Sequence, residues 1–165
     1  MSLRKSGFGA VVDRDTRLVI LGSLPGERSL AERRYYAHPG NRFWHLVGAV
    51  IGCELVPLGY EERLATLLAH HVGLWDVVAS AERRGSLDTA IRAHEPNPLA
   101  EFAASLPNLR ALAFNGAKAA AIGRRQLAGH PAPALVDLPS SSAAYAAMPP
   151  AEKAERWLAL RKFVV

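Results

Sequence analysis

The sequence predicts an α/β fold, with a mostly parallel sheet and helices on both of its faces. Three observations predict it. Four short apolar runs, at residues 17–21, 72–75, 109–114 and 134–138, each end in a turn or breaker signal. Segments with helical spacing lie between those runs. The chain has 165 residues, half of them hydrophobic, and a mean hydropathy near zero, which is enough for one substantial core.

The elements follow in chain order. Residues 17–21, Arg-Leu-Val-Ile-Leu, read as a buried strand that stops at Gly22. Gly-Ser-Leu-Pro-Gly at 22–26 neither continues a strand nor readily opens a helix. Phe43, Leu46, Val47 and Val50 recur at helical spacing within 42–51, and Leu64, Leu67 and Leu68 do so within 60–70. Residues 72–75 form a second strand, closed by Asp76. Ser86 is placed to cap a short helix through Ile91. A helix follows at 98–106, with Pro98 near its start. The third strand, 109–114, turns at Asn115-Gly116 into an Ala-rich helix over 117–127. The fourth strand, 134–138, is stopped by Pro139. Pro149-Pro150 opens a last helix, with Trp157, Leu160 and Phe163 facing inward. No repeat, linker or low-complexity tract interrupts residues 1–165, so one domain is expected.

This composition excludes a disordered chain, a collagen-like fibre and a disulfide scaffold. No apolar run approaches membrane-spanning length, and the first nine residues carry no signal-peptide stretch. A cytoplasmic, monomeric protein with no membrane partner is expected. Basic residues number 20 against 15 acidic ones, for a net charge of +5, and 16 of the 20 are Arg. Arg forks suit phosphate and a positive field gathers polyanions, although a GC-rich genome also yields Arg. Cys53 is alone, so neither an internal disulfide nor a four-Cys zinc or iron–sulfur site can form within one chain. It reads as a small buried apolar residue, with no activating base near it in sequence.

Parallel sheets hold their sites at the C-terminal ends of the strands, here 22–26, 76–80, 115–117 and 139–142. The first loop allows close backbone approach to a ligand, but it is neither a Walker A loop nor a dinucleotide signature. Tyr-Tyr-Ala-His-Pro-Gly-Asn-Arg-Phe-Trp at 35–44 sets aromatics beside an amide and an Arg, which suits a planar polar ligand such as a nucleobase. Phe43 and Trp44 read as core. Tyr36 and Asn41 also fit a turn with Asn as a helix cap, and Asn41 can be cap and catalytic group at once. His38 fixes its loop, because no second His or Cys stands at ligand spacing; neither a metal nor a cofactor is expected. Asp76 ends an apolar strand and must be paired or bound to a ligand. Ser140, Ser141 and Ser142 offer hydroxyls and amides to a phosphate. No Gly-x-Ser-x-Gly elbow is present, which disfavours an α/β-hydrolase.

As a set, these loops resemble the uracil-DNA glycosylase superfamily. Residues 22–26 resemble its water-positioning first motif, 36–44 the segment that follows it in mismatch-specific members, and Leu-Pro-Ser-Ser-Ser at 138–142 its minor-groove motif. Within the superfamily the chain is most similar to the hypoxanthine-DNA glycosylase branch, through 22–30, 35–41, 74–78, Gly-Ser-Leu-Asp at 85–88, and 138–142. The resemblance implies an α/β/α sandwich around a four-stranded parallel sheet. It also implies a monofunctional glycosylase acting on DNA with deaminated bases, chiefly hypoxanthine. Two departures stand out. Leu24 occupies the position of the family's water-activating Asp or Asn, and serines replace the second motif's His or Asn.

By that resemblance Asn41 is catalytic, and Ser23 helps to hold the water. Tyr36, Asp76 and Asn115 are expected to bind the flipped base, Tyr36 by stacking and Asp76 by accepting from the N1–H of hypoxanthine. Pro25, Gly26, His38 and Ser140–Ser142 are expected to hold DNA, with Tyr145 or Met148 as the wedge that fills the vacated stack. The alternatives are a uracil or mismatch-specific enzyme of the same fold and a binding module that has lost its chemistry.

Overall fold

The computed structural model describes residues 4–131 and 133–165. Its larger sheet has four parallel strands in the order β3-β2-β6-β7: β2 (Leu18–Gly22), β3 (Val72–Asp76), β6 (Ala111–Asn115) and β7 (Ala134–Leu138). The chain runs from β2 outward to β3, then crosses back to β6 on the other side of β2. The carboxyl ends of β2 and β6 therefore flank the point where the strand order reverses, where such sheets open a crevice.

Alternation along β2 builds both faces. Leu18 and Ile20 join one core with Phe43, Trp44, Leu46, Val47 and Val50 of α2 (Phe43–Ile51), Leu67 of α3 (Tyr60–Ala69) and Trp157 of α6 (Pro150–Leu158). Val19 and Leu21 join the other with Leu99 of α4 (Leu99–Ala104) and with Ala119 and Leu127 of α5 (Ala117–Leu127). The expected three layers and the four-stranded parallel sheet are thus present. Trp157 and Leu160 are fully buried, and Phe163 packs against the same core.

Three elements differ from the sequence reading. A second sheet, antiparallel in the order β1-β4-β5, joins β1 (Arg4–Ser6), β4 (Val78–Glu82) and β5 (Arg92–Pro96). It gave little sequence signal because β5 is exposed throughout and β4 follows β3 after the single residue Val77. The six-residue helix α1 (Glu27–Glu32) offers too short a pattern to show periodicity. The helix expected over 86–91 is one 3₁₀ turn, Asp88–Ala90, with no side-chain cap. Ser86 caps elsewhere: its Oγ accepts the Glu27 N–H at the start of α1, at 2.9 Å. Cys53 is half-buried rather than buried, and the fold brings its Sγ 3.4 Å from His70 Nε2, a neighbour remote in sequence.

No helix among the described residues is long and apolar enough to cross a membrane, and no group of three or more metal-ligating side chains is found among them.

Candidate active site

Strand register sets the floor of the site. Gly22 lies opposite Asp76, Leu21 opposite Phe114, and Asn115 opposite Leu138, so the strand ends reach one level. Above them opens a cleft of about 890 Å³. Its walls include Ser23, Pro25, Gly26, Tyr36, His38, Asn41, Asp76, Asn115, Ser140, Ser141, Ser142 and Tyr145. All of these expected site residues therefore line one cavity, whereas Met148, the alternative wedge, is not among its walls.

Asp76 is 4% exposed, and its Oδ2 is buried without a hydrogen-bond partner. Loss of hydration pushes its carboxyl up to about 7; the charge of Asp88 adds to the rise, and Arg83 opposes it. The carboxylate fits only because Gly22 has no side chain: a Cβ there would lie 2.7 Å from Asp76 Oδ1.

Tyr36 adopts φ +53°, a left-handed conformation that turns its ring inward. One ring face is stacked on Phe43, with centroids 3.8 Å apart and planes 13° apart. Burial, and then the nearby Asp76 charge, raise its hydroxyl above the usual tyrosine range. Asn115 donates to the Tyr36 hydroxyl at 3.3 Å and to Ser141 Oγ at 2.8 Å, while its Oδ1 accepts the Ser141 N–H at 2.9 Å. Both amide hydrogens of Asn115 are used inside the protein, leaving one lone pair on Oδ1 for a ligand.

The serine loop divides its labour. Ser141 is 1% exposed, and its amide and hydroxyl both serve Asn115. The Ser142 N–H is given to Ser140 Oγ at 3.1 Å. The amides of Ser141 and Ser142, expected from the sequence to face phosphate, thus hold the loop together. The Ser141 carbonyl also accepts from Arg42 N–H at 2.9 Å, which ties this loop to the Asn41 segment.

Asn41 Oδ1 accepts the Phe43 N–H at 2.9 Å, so the amide is fixed at the start of α2. His38 Nδ1 accepts from Gly40 N–H at 2.9 Å, the loop-fixing role expected of it. Tyr145 is 39% exposed at the rim, and its carbonyl is held by Lys153 Nζ at 3.1 Å. Leu24 packs into the core around Val19 and Leu21, so Ser23 is the polar side chain that the first loop brings to the cleft.

Sequence reasoning missed the segment at 83–88. Arg83 is almost fully buried, and its guanidinium donates to the carbonyls of Leu24, Pro25 and Gly85. Asp88 accepts a short hydrogen bond from Ser23 Oγ. The one sequence signal was the Gly-Ser-Leu-Asp string at 85–88, which by itself indicated no contact across 65 residues.

A parallel sheet with an open cleft at its reversal point, floored by an amide and a buried carboxylate, belongs to a defined class. The uracil DNA glycosylase superfamily model matches residues 8–161, and the chain belongs to that superfamily. It is 43% identical to hypoxanthine DNA glycosylase of Methanosarcina barkeri over 116 residues, which is 70% of this chain and 73% of that protein. It is 45% identical to hypoxanthine DNA glycosylase of Methanosarcina acetivorans over 115 residues, again 70% and 73% of the two chains. A solution NMR structure from Methanosarcina acetivorans, provisionally named a uracil DNA glycosylase, superposes with a TM-score of 0.83 at 38% identity, covering 97% of this chain and 98% of that one.

Proposed function

We infer that this protein is a monofunctional glycosylase that hydrolyses the N-glycosidic bond of a deaminated base in DNA, chiefly hypoxanthine, and leaves an abasic site. The observation that carries the reading is the Asp76 carboxyl, a buried acid lining the cleft floor whose Oδ2 has no hydrogen-bond partner. A carboxylate only accepts hydrogen bonds. Hypoxanthine presents N1–H to it, whereas adenine presents a bare N1 and is repelled. The parent base is thereby rejected by the group that holds the damaged one.

The base reaches the cleft by flipping, at a cost of a few kcal/mol that a mismatch reduces. Tyr145 at the rim fills the gap left in the stack. The hydroxyls of Ser140 and Ser142 and the Pro25-Gly26 turn meet the backbone, which Arg residues draw in by charge. Tyr36, backed by Phe43, forms a rigid wall against the base. Asn115 holds Tyr36 and Ser141 in place and keeps one acceptor free for the base.

Cleavage passes through an oxocarbenium-like sugar, as it does in O-glycosides. The attacking water is held by the second lone pair of Asn41 Oδ1 and by Ser23 Oγ. An amide is a weak base, so turnover is modest. All of these groups come from one chain, and the enzyme acts as a monomer in the cytoplasm with no cofactor.

The direct test is mass analysis of the products from a duplex carrying one deoxyinosine. Free hypoxanthine together with an alkali-labile abasic strand is the expected result. Tight binding of the duplex with no free base would mean that the cleft recognises the lesion without chemistry.

A further inference from the structure

We propose that Asp88 is a positioning residue for hydrolysis, acting through Ser23 on the attacking water; the proposal rests on the glycosylase reading above. Asp88 opens the 3₁₀ turn Asp88–Ala90, lines the cleft, and accepts a hydrogen bond from the Ser23 hydroxyl through its Oδ1. Ser23 itself is 6% exposed.

Ties on the preceding segment fix this contact. Arg83 grips the carbonyls of Leu24 and Pro25. Ser86 takes the Glu27 N–H, and Lys5 holds the Gly85 carbonyl at 2.8 Å. The 83–88 segment is therefore stapled onto the chain that follows Ser23, at Leu24, Pro25 and Glu27, and onto Lys5, so Asp88 is not a carboxylate on a loose surface loop.

Placing a second carboxylate here is costly for the site. Asp76 already lies in the cleft with Oδ2 buried and unpartnered, and the Asp88 charge makes it harder to ionise. A group kept at that cost needs a use, and the reaction supplies one. Positive charge develops on the sugar, and a water must lose a proton. The first loop offers no acid of its own, because Leu24 is in the core. With its proton committed to Asp88, the Ser23 hydroxyl turns its lone pairs toward the cleft and accepts from water.

The step balances without a co-reactant. The water oxygen bonds to C1′ as the bond from C1′ to the base nitrogen breaks, and that electron pair leaves on the base. The water proton passes to Ser23 Oγ while Ser23 passes its own to Asp88. The base anion takes a proton from solvent, and Asp88 returns one to solvent.

The test is a double-variant cycle under single-turnover conditions on a deoxyinosine duplex, with thermal melting of each protein. Asp88→Asn keeps an oxygen that can accept from Ser23 but loses the charge. It should melt within a few degrees of wild type and excise about 100-fold more slowly, the low end of what proton transfer contributes. Asp88→Ala combined with Ser23→Ala should be no slower than the worse single variant by more than about threefold, because the two act as one unit. Formate should restore part of the rate to Asp88→Ala and none to Ser23→Ala. A wild-type rate in Asp88→Asn, or losses that multiply in the double variant, would overturn the proposal. Wild type on the same duplex is the control: no released base there overturns the glycosylase reading itself, not merely the role of Asp88.

Discussion

Gly22 and Asp76 face one another in register across β2 and β3, and the bare Gly22 backbone makes room for the Asp76 carboxylate. A Cβ at Gly22 would stand 2.7 Å from Asp76 Oδ1 and 3.2 Å from the Tyr36 hydroxyl. Gly22→Ala should therefore displace both groups. The expected overpacking penalty is about 1–3 kcal/mol, and excision should fall about tenfold or more. Melting and single-turnover assays on one preparation check both.

Asp76 links stability and activity with opposite signs. Its folded pKa of about 7 is raised from the carboxylate range it has in the unfolded chain. Its contribution to stability is thus complete at low pH and is lost as pH rises toward 7. Asp76→Asn cannot ionise and should gain on wild type by on the order of a few kcal/mol between about pH 4 and pH 8. Activity runs the other way, because the ionised carboxylate is the stronger acceptor of N1–H and has no proton to offer a bare N1. Wild-type excision should rise from about pH 6 to pH 8, while the Asn variant stays slow and flat. Paired melts and rates at pH 5 and pH 8 separate the two effects.

Asn41 is both a helix-entry acceptor and the proposed water holder. Loss of its bond to the Phe43 N–H should cost about 1 kcal/mol. Loss of the held water should cost about 100-fold or more in rate. Asn41→Ala should therefore remain folded and be inactive. An unfolded variant would assign Asn41 to structure, and full activity would remove it from catalysis.

Tyr145 is exposed at the rim, with its carbonyl held by the buried Lys153, whose Nζ also lies 5.3 Å from the Tyr145 ring centroid. Tyr145→Ala should leave the melting temperature unchanged. It should slow excision from duplex DNA about tenfold, and from single strands much less, because only the duplex closes over the gap. Rates on the two substrates, compared in one buffer, check this.

The main sheet was legible because β2, β3 and β6 are short apolar runs that end in Gly22, Asp76 and Asn115. Their ends converge by the rule for parallel sheets, so the sequence alone locates the site loops. The β4 and β5 pairing was not legible, since exposed Arg92–Pro96 carries no hydrophobic pattern to read. The inward turn of Ser141 was hidden for another reason: three adjacent serines look alike until Asn115 selects one of them. Arg83 and Asp88 were missed because their partners at 23–25 lie about 60 residues away, and an Arg or Asp in a polar turn reads as solvated.

The most direct test of the central claim is single-turnover incubation with duplexes carrying one deoxyinosine or one deoxyuridine, followed by alkali. Uracil also presents an N–H to Asp76 but is a smaller ring, so the pair separates the cleft's fit from its hydrogen bonding. Alkali-dependent breaks at deoxyinosine, much faster than at deoxyuridine and absent in Asn41→Ala, are the predicted result. Breaks at deoxyuridine alone, or at neither lesion despite tight binding, would contradict it.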